Sequence, residues 1–288
     1  MKLTELVQVT TSDGLRLDGS LREPARCRAT SQTPDAFLLL HGVGGTFYGG
    51  RMFEALTQPL LNQTAAVLRV NTRGAGSVSM FATDGGATRG GAAFEVVDQC
   101  RHDIHAWCDF LVQRGYQRIA LLGHSLGAIK ALYATAHAQH PQVSHVIAAS
   151  PPRLSYAAFQ HDARSSLFFE SMRTAEQAIA DGNPEAIFTA KFPFPLLITA
   201  ASYLDKYGPE ERYNILRFIH RVTVPMLLIY GENELATGGT AFAGLPTALT
   251  EQMTDDQDCT IDEIADADHF YTGCYEQLAQ TITAWVLR

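Results

Sequence analysis

A serine hydroxyl is a poor nucleophile until a strained turn aims it at a base and backbone N–H groups wait for the oxyanion. The pentapeptide Gly123-His124-Ser125-Leu126-Gly127 has the composition for such a turn. It follows the apolar run 118–122 and precedes the helix-forming stretch 128–139, which reads as strand, tight turn, helix. Glycines at 123 and 127 leave room for the strand and helix backbones to approach, while the turn holds Ser125 in a φ/ψ region uncomfortable for a residue with a Cβ.

A serine elbow predicts three partners. The first is a second oxyanion donor from the loop after an earlier strand, and the apolar run 36–40 followed by His41-Gly42-Val43-Gly44-Gly45 supplies that loop. The donors are assigned as the N–H groups of Leu126 and Val43, with Gly44 as the alternative to Val43. The second is an acid after a later strand: the run 225–230 is followed by Gly231-Glu232-Asn233-Glu234, which offers Glu232 and Glu234. The third is a histidine later still, and Asp268-His269-Phe270 follows the strand-like run 259–264. The order serine, acid, histidine is met.

These anchors, His41-Gly42, the elbow, Gly231 to Glu234 and Asp268-His269, resemble the α/β-hydrolase superfamily over about residues 13–288. The resemblance implies a serine hydrolase with a mostly parallel twisted sheet, helices on both faces and a helical cap. It also implies that the acid is the residue three after the strand-end glycine. That residue is Glu234, where the family more often has Asp, and Glu232 is the rival. The segments 267–273 and 204–209 look like a bacterial, esterase-like branch of the family.

Strands are predicted at 36–40, 65–70, 118–122, 143–149, 224–230 and 259–264, with helices near 50–63, 95–114, 126–139 and 274–287. An N-terminal hairpin turns at residues 11–14, and the polar stretch 23–35 reads as a surface connection. Such alternation implies a mostly parallel α/β sheet whose ligands bind at the carboxyl ends of the strands, where Ser125, Glu234, His269 and Val43 all fall.

Two segments break the alternation. Residues 74–93 form a glycine-rich loop that either gates substrate or is a plain surface loop. Residues 153–222 form a cap inserted into a core of 1–152 and 223–288, with an amphipathic helix marked by Phe159, Leu167, Phe168, Met172, Ala175 and Ile179. Phe192, Phe194 and Tyr203 are candidate lining residues of an apolar acyl or aryl site, although each taken singly is more often core.

Other constellations carry less. His102, Asp103 and His105 share a helix without the metal-ligand signature and read as a solvated face. His124 reads as structural, pointing towards the sheet, and His41 as a holder of loop geometry. Arg73 is expected to brace its loop through backbone carbonyls. Gly42-Val43-Gly44 lacks the third glycine of a dinucleotide site.

A chain of 288 residues, 46% apolar and 18% charged, can bury a large core. A formal charge of −8 argues against a nucleic-acid partner. Five cysteines without repeated spacing suit reduced thiols, and the N-terminus lacks a signal-peptide pattern, so a cytoplasmic location is expected. No run approaches the ~20 apolar residues that span a bilayer, so no membrane partner is expected, and homo-oligomerisation is left open.

The expected activity is hydrolysis of a small or medium apolar carboxylic ester through an acyl-serine. Ser125 attacks, His269 relays the proton, Glu234 orients the imidazole, and no metal or organic cofactor is required. Carbon–carbon bond hydrolysis, amide hydrolysis and acyl transfer use the same triad. A pseudo-enzyme binding a small apolar ligand is the alternative from another class, disfavoured by the complete triad.

Overall fold

The computed structural model describes residues 4–25 and 33–288, so Cys27 and most of the predicted connection 23–35 lie outside the described residues. The described residues form twelve strands: β1 (Glu5–Thr10), β2 (Arg16–Arg22), β3 (Ala36–Leu40), β4 (Ala66–Val70), β5 (Ser79–Thr83), β6 (Gly86–Gly90), β7 (Ile119–His124), β8 (Val143–Ala149), β9 (Ile187–Ala190), β10 (Leu196–Thr199), β11 (Met226–Gly231) and β12 (Cys259–Ile264). The α-helices are α1 (Arg51–Asn62), α2 (Cys100–Gln113), α3 (Leu126–Ala138), α4 (Tyr156–Phe159), α5 (Ser165–Ala180), α6 (Ala200–Tyr207), α7 (Glu232–Thr237), α8 (Leu245–Gln252) and α9 (Tyr275–Val286).

Eight strands form one sheet in the order β1-β2-β4-β3-β7-β8-β11-β12. The pairings from β4 through to β12 are parallel, and the β1-β2-β4 edge is antiparallel. The reason lies in the run 36–40, apolar at every position because both faces are covered. Alternation sends Phe37 and Leu39 to one side, against Met52 and Leu56 of α1 and Leu278 and Ile282 of α9. Leu38 and Leu40 go to the other, with Ile104 and Trp107 of α2 and Leu132 of α3. The chain thus has the α/β-hydrolase architecture read from its sequence.

Both irregular segments differ from expectation in detail. The glycine-rich stretch 74–93 is not a plain loop, because β5 and β6 pair as an antiparallel hairpin. Only Phe81 of β5 is buried, so little apolar alternation announced it. The segment 153–222 is helical in α4, α5 and α6 but also contains the β9–β10 hairpin, which places Ala190 and Leu196 opposite one another. Its long helix α5 buries Phe168, Met172 and Ala175, three of the residues that marked the predicted periodicity.

Candidate active site

Register brings the site together. Leu40 of β3 pairs with Gly123 of β7, His124 with Ala149 of β8, and Gly231 of β11 with Ile264 of β12, so the loops carrying Val43, Ser125, Glu234 and His269 open at one sheet edge. Ser125 sits at φ 55°, ψ −122°, between the end of β7 and the start of α3. The glycines explain how this turn fits: a methyl on Gly123 would collide with the Gly127 carbonyl, and one on Gly127 with the Leu40 carbonyl.

Ser125 Oγ lies 3.1 Å from His269 Nε2, and His269 Nδ1 hydrogen-bonds Glu234 Oε1. Glu234 is buried, 3% exposed, and its other oxygen accepts from the Ser150 hydroxyl at 2.7 Å and the Gly231 N–H at 3.3 Å. Ser150 also lies 2.9 Å from the Tyr271 hydroxyl, which donates to the Ile229 carbonyl at 2.8 Å. Glu232 faces away, accepting from the Asp266 N–H at 3.1 Å. Two residues on, helical rotation has turned Glu234 inward.

The Ser125 N–H is engaged with the Ala149 carbonyl at 2.9 Å, whereas the Leu126 N–H belongs to the first helical turn, where no helical carbonyl can reach it. Gly42 packs directly on the nucleophile, since a Cβ there would lie 3.1 Å from Ser125 Cβ. The next residue, Val43, and the alternative donor Gly44 both line the same cavity as Ser125 and Leu126.

That cavity holds about 860 Å³. Its aromatic wall includes Phe159, Phe192, Phe194, Tyr207, Phe242 and Phe270, and Phe242 and Phe270 flank the His269 ring with centroids at 5.5 and 5.0 Å. Of the three lining candidates, Phe192 and Phe194 reach the cavity and Tyr203 does not. Tyr203 is fully buried and donates to the Phe192 carbonyl at 3.1 Å, so it braces the wall from behind. Tyr207, one helical turn on, lines the cavity in its place. The i, i+4 spacing from Tyr203 to Tyr207 was the available signal.

The remaining sequence expectations also find their places. His124 faces the histidine loop instead of the sheet, donating from Nε2 to the His269 carbonyl at 2.7 Å. His41 holds its loop, with Nδ1 donating to the Gly42 carbonyl at 2.7 Å. Arg73 braces through carboxylates, not carbonyls, pairing with Asp103 at 2.8 Å and Asp13 at 2.9 Å. Asp103 is therefore buried beneath Arg73 and not part of a solvated face. His102 meets the Ser12 hydroxyl at 2.7 Å and His105 the Ala138 carbonyl at 2.6 Å, partners on different segments. The four described cysteines are free, and burial raises the pKa of the Cys100 and Cys108 thiols. No described helix is long and apolar enough to cross a membrane.

Burial pushes the pKa of both His41 and His124 down to about 4. Each imidazole is neutral in the folded protein and takes up a proton on unfolding below about pH 6.5, so their stabilisation is full above that pH and is lost as the pH falls towards 4. The expected cost is ~2 kcal/mol per histidine by pH 5. Denaturant unfolding at pH 7 and pH 5 should show a shallower loss in His124→Gln than in the parent; equal losses would contradict neutral burial of His124.

A sequence model of the Alpha/beta hydrolase family matches residues 37–281, and the chain belongs to that family. Among solved structures it is similar to the α/β hydrolase GrgF from Penicillium sp. sh18, with a TM-score of 0.70, 16% identity and coverage of 99% of this chain and 98% of that one. It is also similar to Est1E from Butyrivibrio proteoclasticus, with a TM-score of 0.65, 17% identity and coverage of 98% and 97%. An esterase of Pyrococcus furiosus aligns with a TM-score of 0.64 and 17% identity over 100% and 91%. A comparison with curated protein sequences finds no match. At these identities the structural likeness speaks for the fold, and the family is one of hydrolases with esterases among its structural neighbours.

Proposed function

We propose that this chain is a serine hydrolase that cleaves carboxylic esters bearing apolar groups, through an acyl-serine intermediate. The observation that carries the reading is the continuous line from Ser125 Oγ to His269 to buried Glu234 at the floor of an aromatic-walled cavity. Ser125 Oγ attacks the ester carbonyl while its proton passes to His269 Nε2. The imidazolium, held by Glu234, then donates that proton to the leaving alcohol. Water enters, gives a proton to His269 and attacks the acyl carbonyl, releasing the acid and restoring Ser125. The N–H groups of Leu126 and Val43 serve as oxyanion donors, each worth roughly 3–4 kcal/mol in the transition state.

The cap supplies selectivity, because the triad and the oxyanion donors meet any acyl group alike. Phe194 is 45% exposed at the cavity wall, whereas Phe192 is 1% exposed and packs edge-on against Phe159 and Phe168 at 4.9 and 5.3 Å. Phe194→Ala should keep its melting temperature and lower kcat/KM for larger apolar esters relative to small ones, by at most ~1–3 kcal/mol for each methylene that loses its contact. Phe192→Ala should destabilise the fold by roughly 3–5 kcal/mol. A stable Phe194→Ala protein with the parent's substrate ranking would remove Phe194 from the specificity wall.

The reaction class is tested with a matched panel of esters, thioesters, amides and vinylogous diketones presented to the purified protein. Turnover of esters above all others is expected; turnover of the diketones alone would assign carbon–carbon bond hydrolysis instead.

A further inference from the structure

Besides the Arg73–Asp103 pair, a second buried ionic group among the described residues plays no part in the reaction just outlined. Lys206 of cap helix α6, Lys130 of α3 and Glu95, between β6 and α2, are each at most 2% exposed. Lys130 Nζ pairs with Glu95 Oε1, while Lys206 Nζ stands 3.8 Å from Glu95 Oε2 with no hydrogen-bond partner of its own. Two ammonium groups thus share one carboxylate away from solvent. Such an arrangement seldom stabilises a fold as well as apolar residues of similar volume would. It calls for a reason.

The group has room made for it and a direction. A methyl on Gly74 would run into the Glu95 carboxylate, so the loop after β4 is shaped around that side chain. From Lys130 the line continues by hydrogen bonds. Its ammonium donates to Thr72 Oγ1 at 3.0 Å, the Thr72 N–H donates to His41 Nε2 at 3.2 Å, and His41 Nδ1 donates to the Gly42 carbonyl at 2.7 Å. Gly42 is the residue that packs on Ser125 and precedes Val43. At the other end, the cap leans on the Glu95 segment: the Thr199 N–H donates to the Ala93 carbonyl at 2.8 Å and the Val97 N–H to Asp205 at 3.4 Å. Tyr207, next to Lys206, lines the cavity.

We propose that Lys206 is a positioning residue, closing a buried charge clasp through Glu95 and Lys130 that ties the seating of cap helix α6 to the geometry of the oxyanion loop. Burial lowers the Lys206 pKa and the Lys130 charge adds to that, while the Glu95 carboxylate, and Asp205 after it, favour the charged form, so Glu95 is the main group that holds Lys206 as an ammonium. Burial works against the Glu95 carboxylate, yet Lys130 and Lys206 hold its pKa below the ordinary range. His41 is kept neutral first by burial and then by the nearby Lys130 charge, which leaves Nε2 free to accept from Thr72. Removing Lys206 leaves Glu95 with Lys130 as its one counter-charge, drawing Lys130 from Thr72 and loosening the support of His41 and the Gly42–Val43 peptide. The inference rests on the serine-hydrolase reading above.

The test is Lys206→Met, which keeps the length and removes the charge. Because an oxyanion donor acts on the transition state and not on bound substrate, kcat should fall at least tenfold with KM within about twofold, bounded by the ~10²–10³ loss of a whole donor. Labelling of Ser125 by a fluorophosphonate should slow by the same factor. Lys191→Met, an exposed cap lysine paired with Glu170, should match the parent. Parent-like kcat in folded Lys206→Met would overturn the proposal.

A second measurement needs no variant. Addition of Ser125 to a trifluoromethyl phenyl ketone should slow backbone hydrogen exchange in residues 41–45 and 200–207 together; protection of 41–45 alone would also overturn the coupling. Failure of the wild-type protein to react with either probe at Ser125 would instead strike the serine-hydrolase reading.

Discussion

Ser125→Ala is expected to lose turnover by a factor on the order of 10⁶, leaving at most the 10³–10⁴-fold advantage over water that binding and the oxyanion donors provide. The structure explains why this loss should be chemical. The Ser125 side chain hydrogen-bonds His269 Nε2, and alanine keeps the Cβ and the backbone N–H that bonds Ala149. The strained φ of 55° is imposed by the packing of Gly123 and Gly127, which the substitution leaves in place. The melting temperature should therefore stay with the parent, and the variant should still bind substrate. Residual turnover within tenfold of the parent would place the nucleophile elsewhere.

Glu234→Gln should cost on the order of 10⁴ in kcat, about 5 kcal/mol. The loss comes from the imidazole tautomer. Glu234 Oε2 receives two donors, the Ser150 hydroxyl and the Gly231 N–H. An amide placed there turns its oxygen towards those donors and its NH₂ towards His269 Nδ1. The imidazole must then carry its proton on Nε2, where it can no longer accept one from Ser125. Glu232→Gln, which loses only part of an exposed contact to the Asp266 N–H, should leave kcat within about twofold. Equal losses in the two variants, measured with the same ester, would reject this division of roles between two glutamates two residues apart.

Much of the core was legible in the sequence because its signals are local. The run 36–40 announces a strand covered on both faces, and the elbow glycines announce close backbones. The choice of Glu234 over Glu232 rests on the family resemblance and not on a local signal, and the structure has Glu234 buried on α7. What stayed hidden depends on distant partners. Arg73 meets Asp103 and Asp13, 30 and 60 residues away, and nothing local distinguishes those carboxylates from the carbonyls expected to brace it. The β5–β6 hairpin is masked by Gly86 and Gly90 and by the lack of a buried apolar face on β6.

Lys206 is disguised differently, since a lone lysine on a short amphipathic helix normally reads as solvated. Lys130 did leave a trace: its neighbours Ala128, Ile129, Ala131 and Leu132 are apolar all round the helix, a pattern that fits a buried helix and not a surface one. Tyr203 was misplaced for a related reason. Periodicity fixes a helix face, but two residues one turn apart on that face can meet different surroundings, here the packed interior and the wall of the cavity.

The central claim is that Ser125 is a nucleophile activated by His269 and aimed into the cavity. Its most direct test is incubation of the native protein with a fluorophosphonate, followed by mass spectrometry of its peptides. The account predicts one adduct per chain, on the peptide containing Ser125, with no adduct in Ser125→Ala and strongly slowed labelling in His269→Ala. An adduct on another residue, or a native protein that stays unmodified while correctly folded, would contradict it.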